Sequence, residues 1–220
     1  THASSGGAET VFAKGRSGAI GSFAIVQDDD NLGRLTWGAD DGVDMNSVAA
    51  QLSVLVDGTP GSNDTPGRFE FLTTADGAAS PTLRMSLDAL GTLNLFDNIL
   101  QRPTFKDYAE TKVVISPAAS VTVDVSTGNV FTISPDQNTA FTFSNPPASG
   151  TAGSFTLIWT QGSSNWTTDW ATNIDVHWAG GTKPDVTAGS GKVDIYTFFT
   201  IDGGTIWFGF QPGADMLIEA

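Results

Sequence analysis

VDIYTFFTIDGGTIWFGFQ, running from Val193 to Gln211, decides how this chain folds. Read with a period of two, Val193, Ile195, Thr197, Phe199 and Ile201 share one face, and Asp194, Tyr196, Phe198, Thr200 and Asp202 share the other. Asp202-Gly203-Gly204 interrupts the run, after which Ile206, Phe208 and Phe210 alternate with Trp207 and Gly209. Two β-rich runs joined by an Asp-Gly or Gly-Gly pair read as a hairpin, because those residues reach positive φ at little steric cost. Aromatic and β-branched residues occupy both faces, so the hairpin requires cover from another sheet or another chain.

The rest of the composition agrees with an all-β protein. Among 220 residues, 25 glycines and 10 prolines are dispersed through a chain that is 40% hydrophobic, which suits many strands and turns. Only Ile99–Lys112 invites a short helix. With no cysteine, neither disulfides nor thiolate metal sites can hold the fold. The formal charge of −14 repels phosphate backbones and anionic lipid, and no basic patch offsets it, so nucleic-acid binding is not expected. No apolar run approaches the ~18–20 residues that span a bilayer, so membrane insertion is not expected either.

Working outward, the first half reads as short strands separated by loops. Candidates are Thr10–Lys14, Phe23–Val26, Leu32–Trp37, Ser47–Asp57, Arg68–Thr74, Thr82–Asp88 and Thr92–Phe96. Each carries a thin apolar face, such as Phe69 with Phe71, or Val48, Ala50, Leu52, Val54 and Val56. Such strands enclose little interior by themselves, and packing against identical copies would cover them. The pattern predicts an N-terminal, extended, shaft-like β region over residues 1–97. A linker or short helix is expected over 98–112, where Gln101-Arg102-Pro103 and mixed charges break the composition. Residues 113–220 carry eight runs between Lys112 and Phe210, and five of the six tryptophans. That rhythm predicts an antiparallel, jelly-roll-like β-sandwich.

Two sets of phrases carry a family resemblance. The first joins Leu32-Gly33-Arg34-Leu35, Asp40-Asp41-Gly42, Ala49-Ala50-Gln51 and Val56-Asp57-Gly58-Thr59-Pro60-Gly61. It continues through Asp64-Thr65-Pro66-Gly67-Arg68, Phe71–Gly77 and Ser80–Met85. The second comprises Thr139–Gly153, Phe155-Thr156-Leu157-Ile158 and the closing Phe198–Phe210. Together these resemble tail-fibre and related virion fibre proteins of tailed bacteriophages, over roughly residues 9–96 and 100–216. The resemblance implies a structural, non-enzymatic homotrimer located on the virion, joined to other tail or capsid proteins. It implies attachment to a bacterial surface glycan or receptor, most simply as a tail fibre. A head fibre or capsid decoration protein, and a glycan-cleaving tail spike, are the alternatives it leaves open.

The chemistry such a protein could carry is sparse. The histidines are His2 and His177, and no Gly-x-Ser-x-Gly elbow is present. Asp169, Asp175 and Asp194 lie near Trp166, Trp170 and Trp178, the residue types of a glycosidase groove, although acidic turn residues beside core tryptophans give the same pattern. Asp28-Asp29-Asp30 and Asp40–Asp44 do not follow the Asp-x-Asp-x-Asp-Gly calcium loop, and Gly189-Ser190-Gly191-Lys192 lacks the remainder of a phosphate loop. No catalytic residue, metal or cofactor is therefore assigned. The candidate receptor or glycan contacts are Trp166, Asp169 and Trp170, in a polar, turn-like stretch where two indoles four residues apart can stack on a sugar or a partner, or plug the end of the sandwich or the trimer interface.

Overall fold

The structure is a computed structural model that describes residues 7–96, 98–170 and 174–216. The regular elements of the described residues are all β-strands, apart from a single 3-10 turn at Ala179–Gly181. It divides into two compact units, Thr1–Thr104 and Phe105–Ala220. Residues 98–111 form neither helix nor strand. Arg102, which precedes Pro103, and Asp107 both have φ of 56°, in the left-handed region that a right-handed helix does not use.

In the first unit, β1 (Asn31–Ala39), β2 (Ser47–Val56), β3 (Gly67–Thr73), β4 (Thr82–Leu87) and β5 (Leu93–Asn94) form one antiparallel sheet in sequence order. Aspartates shape its turns. Between β1 and β2 the Asp41 carboxylate accepts from Val43 N, Asp44 N and the Ser47 hydroxyl. Before β5, Asp88 accepts from Leu90 N and Thr92 N. These carboxylates replace ladder bonds that a reversing backbone loses. The apolar runs Thr10–Lys14 and Phe23–Val26 join no sheet.

Register sorts the side chains of this sheet. Leu35, Leu52, Phe71 and Met85 form one cross-strand row, and Gly33, Val54, Phe69, Leu87 and Leu93 form the next. Directly opposed residues share a face, so both rows lie on one side. Arg34, Ser53, Glu70, Ser86 and Asn94 make the corresponding row on the other side. Arg68 reinforces that polar side by donating to Glu70 (2.8 Å) and to Asp29 (2.7 Å).

The second unit is a two-layer sandwich. Its strands are β6 (Lys112–Val114), β7 (Ser120–Asp124), β8 (Val130–Ile133), β9 (Thr139–Ser144), β10 (Gly153–Thr160), β11 (Thr168–Trp170), β12 (Asp175–Trp178), β13 (Val193–Thr200) and β14 (Ile206–Met216). One sheet runs β12-β14-β13-β10-β8-β6 and the other β11-β9-β7. The β10–β13 and β13–β14 pairs are antiparallel, as the sequence predicts, but β6–β8, β8–β10, β7–β9, β9–β11 and β12–β14 are parallel. The sandwich is thus mixed, not purely antiparallel. The chain alternates between layers from β6 to β12, so neighbours within a layer are two strands apart and have reversed direction twice.

The opening hairpin is β13–β14. Gly203 and Gly204 have φ of 77° and 78°, as the turn requires. Asp202 holds the turn by accepting from Ile206 N (3.1 Å) and from the Thr200 hydroxyl (2.9 Å). These bonds, that of Ile206 first, lower the Asp202 pKa. The Tyr196–Phe198–Thr200 face turns inward. Phe131, Phe155, Leu157, Trp159, Phe198 and Trp207 from the larger sheet meet Val121, Val123, Phe141 and Trp170 from the smaller one. Phe143 ties the layers together, edge-on to Phe155 and Phe198 at 4.9 Å each. Burying each large side chain contributes about 1.5–3 kcal/mol, and favourable ring pairs add about 0.5–1.5 kcal/mol each.

Candidate functional site

Trp166, Asp169 and Trp170 do not converge. β11 sends Thr168 and Trp170 inward and Asp169 outward, as the period of a strand demands. Trp170 is only 9% exposed and stacks on Phe141, centroids 5.3 Å apart and planes 25° apart. It also meets Trp178, Tyr196 and Phe198. Its role is therefore that of the sandwich plug, the second of the two readings its sequence allowed. Asp169 stands alone on the outer surface.

Trp166 remains at the surface, half-buried, on a loop pinned from several sides. The buried Gln161 amide accepts from Trp166 N (3.1 Å) and donates to Trp166 O (2.9 Å). Asn138 accepts from Thr167 N, and Asn165 accepts from Gly189 N. Gly162 makes room for the indole, since a Cβ there would lie 3.2 Å from Trp166 and 2.2 Å from Pro135 O. Beside the ring is a cavity of about 220 Å³ lined by Gln161, Trp166, Thr168, Lys183, Asp185 and Val186. It combines one aromatic wall with an amide, a hydroxyl, an ammonium and a carboxylate, the groups that contact sugar hydroxyls. Lys183, Asp185 and the cavity were missed in the sequence because residues 182–188 have no period and no motif.

The three carboxylates considered for glycan cleavage occupy different parts of the sandwich unit, one of them in its interior. Asp194 is buried on the inner face of β13 and accepts from Thr187 N, the Thr187 hydroxyl and Asp215 N. Asp175 is exposed on β12 beside His177, whose Nε2 lies 3.1 Å from its Oδ1, and Asp169 projects from the other sheet. Asp30 is taken up by Lys14, Arg16 and Gln27 N. Asp28 accepts from Gly58 N, and Asp29 pairs with Arg68. Lys192 pairs with Asp215, and Gly191 N donates to Gln161 O. Among the described residues no three His, Cys, Asp or Glu side chains gather as metal ligands, and no helix is long and apolar enough to cross a membrane.

The apolar side of the β1–β5 sheet is open to solvent. Trp37 is 54% exposed, and Leu35, Phe69, Phe71, Leu87 and Leu93 are also open. Phe12 covers one corner, so close over β1 that a Cβ on Gly33 would lie 2.7 Å from its own Cβ. Between Phe12 and the sheet runs an apolar groove of about 330 Å³. Among the described residues no second β layer covers this side, whereas in the sandwich unit two sheets cover one another. No protein-family model matches this chain, and no curated protein matches it.

Proposed function

We propose that this chain is a structural, non-enzymatic fibre protein of a tailed-phage particle. Its first unit assembles with identical copies into a trimeric β shaft, and its sandwich unit faces the bacterial surface. The observation that carries this reading is the open apolar side of the β1–β5 sheet, which makes a lone copy incomplete. Resemblance of the phrase order along residues 9–96 and 100–216 supplies the class of assembly. Attachment follows from many copies presenting one weak contact each, so that avidity replaces affinity. The Trp166 cavity is the place on the sandwich that suits a surface glycan.

Imaging tests the assignment. Antibody raised against residues 105–220 should decorate a tail or head appendage in electron micrographs of the particle, the tail being expected. Label on the capsid would favour a decoration protein instead. Particles left bare while the antibody binds the purified chain would contradict a virion role. Incubation with purified bacterial surface polysaccharide should release no oligosaccharide, and release would favour the glycan-cleaving spike.

A further inference from the structure

We propose that the uncharged loop Ser17–Gln27 of one copy seats Phe23 and Ile20 in the apolar groove of the β1–β5 sheet of a second copy. This deepens the assembly reading above and rests on it.

The loop is a preformed projection. At its base Arg16 N donates to Ala24 O (3.1 Å). The Arg16 guanidinium grips both oxygens of Asp30 (2.6 and 2.9 Å), Lys14 adds a third bond (3.0 Å), and Gln27 N a fourth (2.9 Å). Val26 is buried beside them. Both ends of the loop are thus fastened to one buried carboxylate. At the tip, Ile20 and Phe23 are 108% and 101% exposed and touch nothing. Binding by a loop already held in shape loses little conformational freedom.

The groove matches in chemistry and size. Phe12, Leu32, Leu35, Leu52, Val54 and Phe69 line about 330 Å³. A cavity of ~150 Å³ holds benzene, so this volume accommodates a phenyl ring and a neighbouring aliphatic chain. Charge permits a second copy as the partner. The chain carries −14, and two copies repel wherever their acidic surfaces meet. Ser17–Gln27 has no ionisable side chain, and the groove has only Arg34. These two surfaces can meet without opposing carboxylates.

The chain itself supplies both halves of the contact, two fully exposed apolar side chains at a loop tip and an open apolar groove. Because projection and groove are different surfaces, the contact is head-to-tail and closes into a ring when the rotation permits, as three copies would.

The absence of cysteine makes the test direct. Full-length chain carrying both F23C and L35C is treated with a short bifunctional maleimide. Linkage between chains is expected, with linked dimers and trimers on a denaturing gel, whereas F23C alone and L35C alone stay unlinked. A multi-chain mass with no linkage in the double variant would overturn the proposal while leaving assembly intact, and so would efficient linkage of L35C alone. A one-chain mass for the unmodified protein would overturn both. Independently, Phe23→Ser, at a residue that touches nothing in its own chain, should weaken assembly at least tenfold, the loss expected for one buried aromatic anchor. Unchanged assembly would count against the projection.

Discussion

Phe69 on β3 stands opposite Leu87 on β4, and the two remain 46% and 40% exposed. A cross-strand apolar pair on a half-buried sheet ordinarily lies beneath a second layer, as Phe155 and Phe198 do in the sandwich unit. The pair therefore marks the part of this sheet that the proposed assembly would cover.

Replacing Phe69 and Phe71 with Ser should loosen assembly without unfolding the sandwich. Each buried aromatic contributes about 1.5–3 kcal/mol, or roughly 10- to 150-fold in dissociation constant. Sedimentation across a concentration series reads the shift. Dissociation unchanged within twofold would show that this side is not an interface.

The two tryptophans read together in the sequence should respond differently. Trp170→Ala removes a ring from the core and should cost the sandwich unit about 3–5 kcal/mol. Trp166→Ala removes a half-buried ring and should cost well under half of that. Denaturant titration followed by the remaining tryptophan fluorescence compares them, and equal losses would contradict the geometry.

Gly204 combines positive φ with a crowded site, since a Cβ would lie 2.8 Å from Pro146 Cγ. Gly204→Ala should lose at least the ~1–2 kcal/mol of a left-handed L-residue, plus the displacement of Pro146. Gly150 has φ of 86° with open space beyond it, so Gly150→Ala should lose only the first part. Thermal unfolding of the two variants checks the order.

Acid should release the projecting loop. The Asp30 carboxyl is held well below the usual carboxylate range, first by the Arg16 hydrogen bond and then by Gln27 N and Lys14. A depressed native pKa contributes stability in full above the unfolded value of about 3.9 and loses it as pH falls further. Amide exchange of residues 16–27 should stay slow at pH 6 and accelerate below about pH 3, beyond the intrinsic pH dependence of exchange. In Asp30→Asn the loop should exchange fast at both. A loop insensitive to the substitution would show that Asp30 does not fasten it.

Local chemistry made much of this fold legible. The β13–β14 turn follows from Asp202-Gly203-Gly204, and the apolar rows of β1–β5 follow from alternation such as Phe69, Glu70, Phe71. Parallel pairing in the sandwich was not legible, because it depends on which layer each connection enters, and alternation is the same in either direction. β11 escaped notice because three residues carry too little period, which also left Trp166 and Trp170 looking equivalent. Thr10–Lys14 and Phe23–Val26 have strand composition, but apolar side chains alone supply no ladder partner. The Trp166 cavity depends on Lys183 and Asp185 arriving from a distant loop, which no spacing within residues 161–170 encodes.

Absolute mass in solution tests the central claim most directly. At micromolar concentration and moderate salt, light scattering or sedimentation should give three times the 23.0 kDa chain, with Leu35, Trp37, Phe69 and Phe71 protected from surface labelling. A stable 23.0 kDa particle whose β1–β5 apolar side stays open to label would contradict the account.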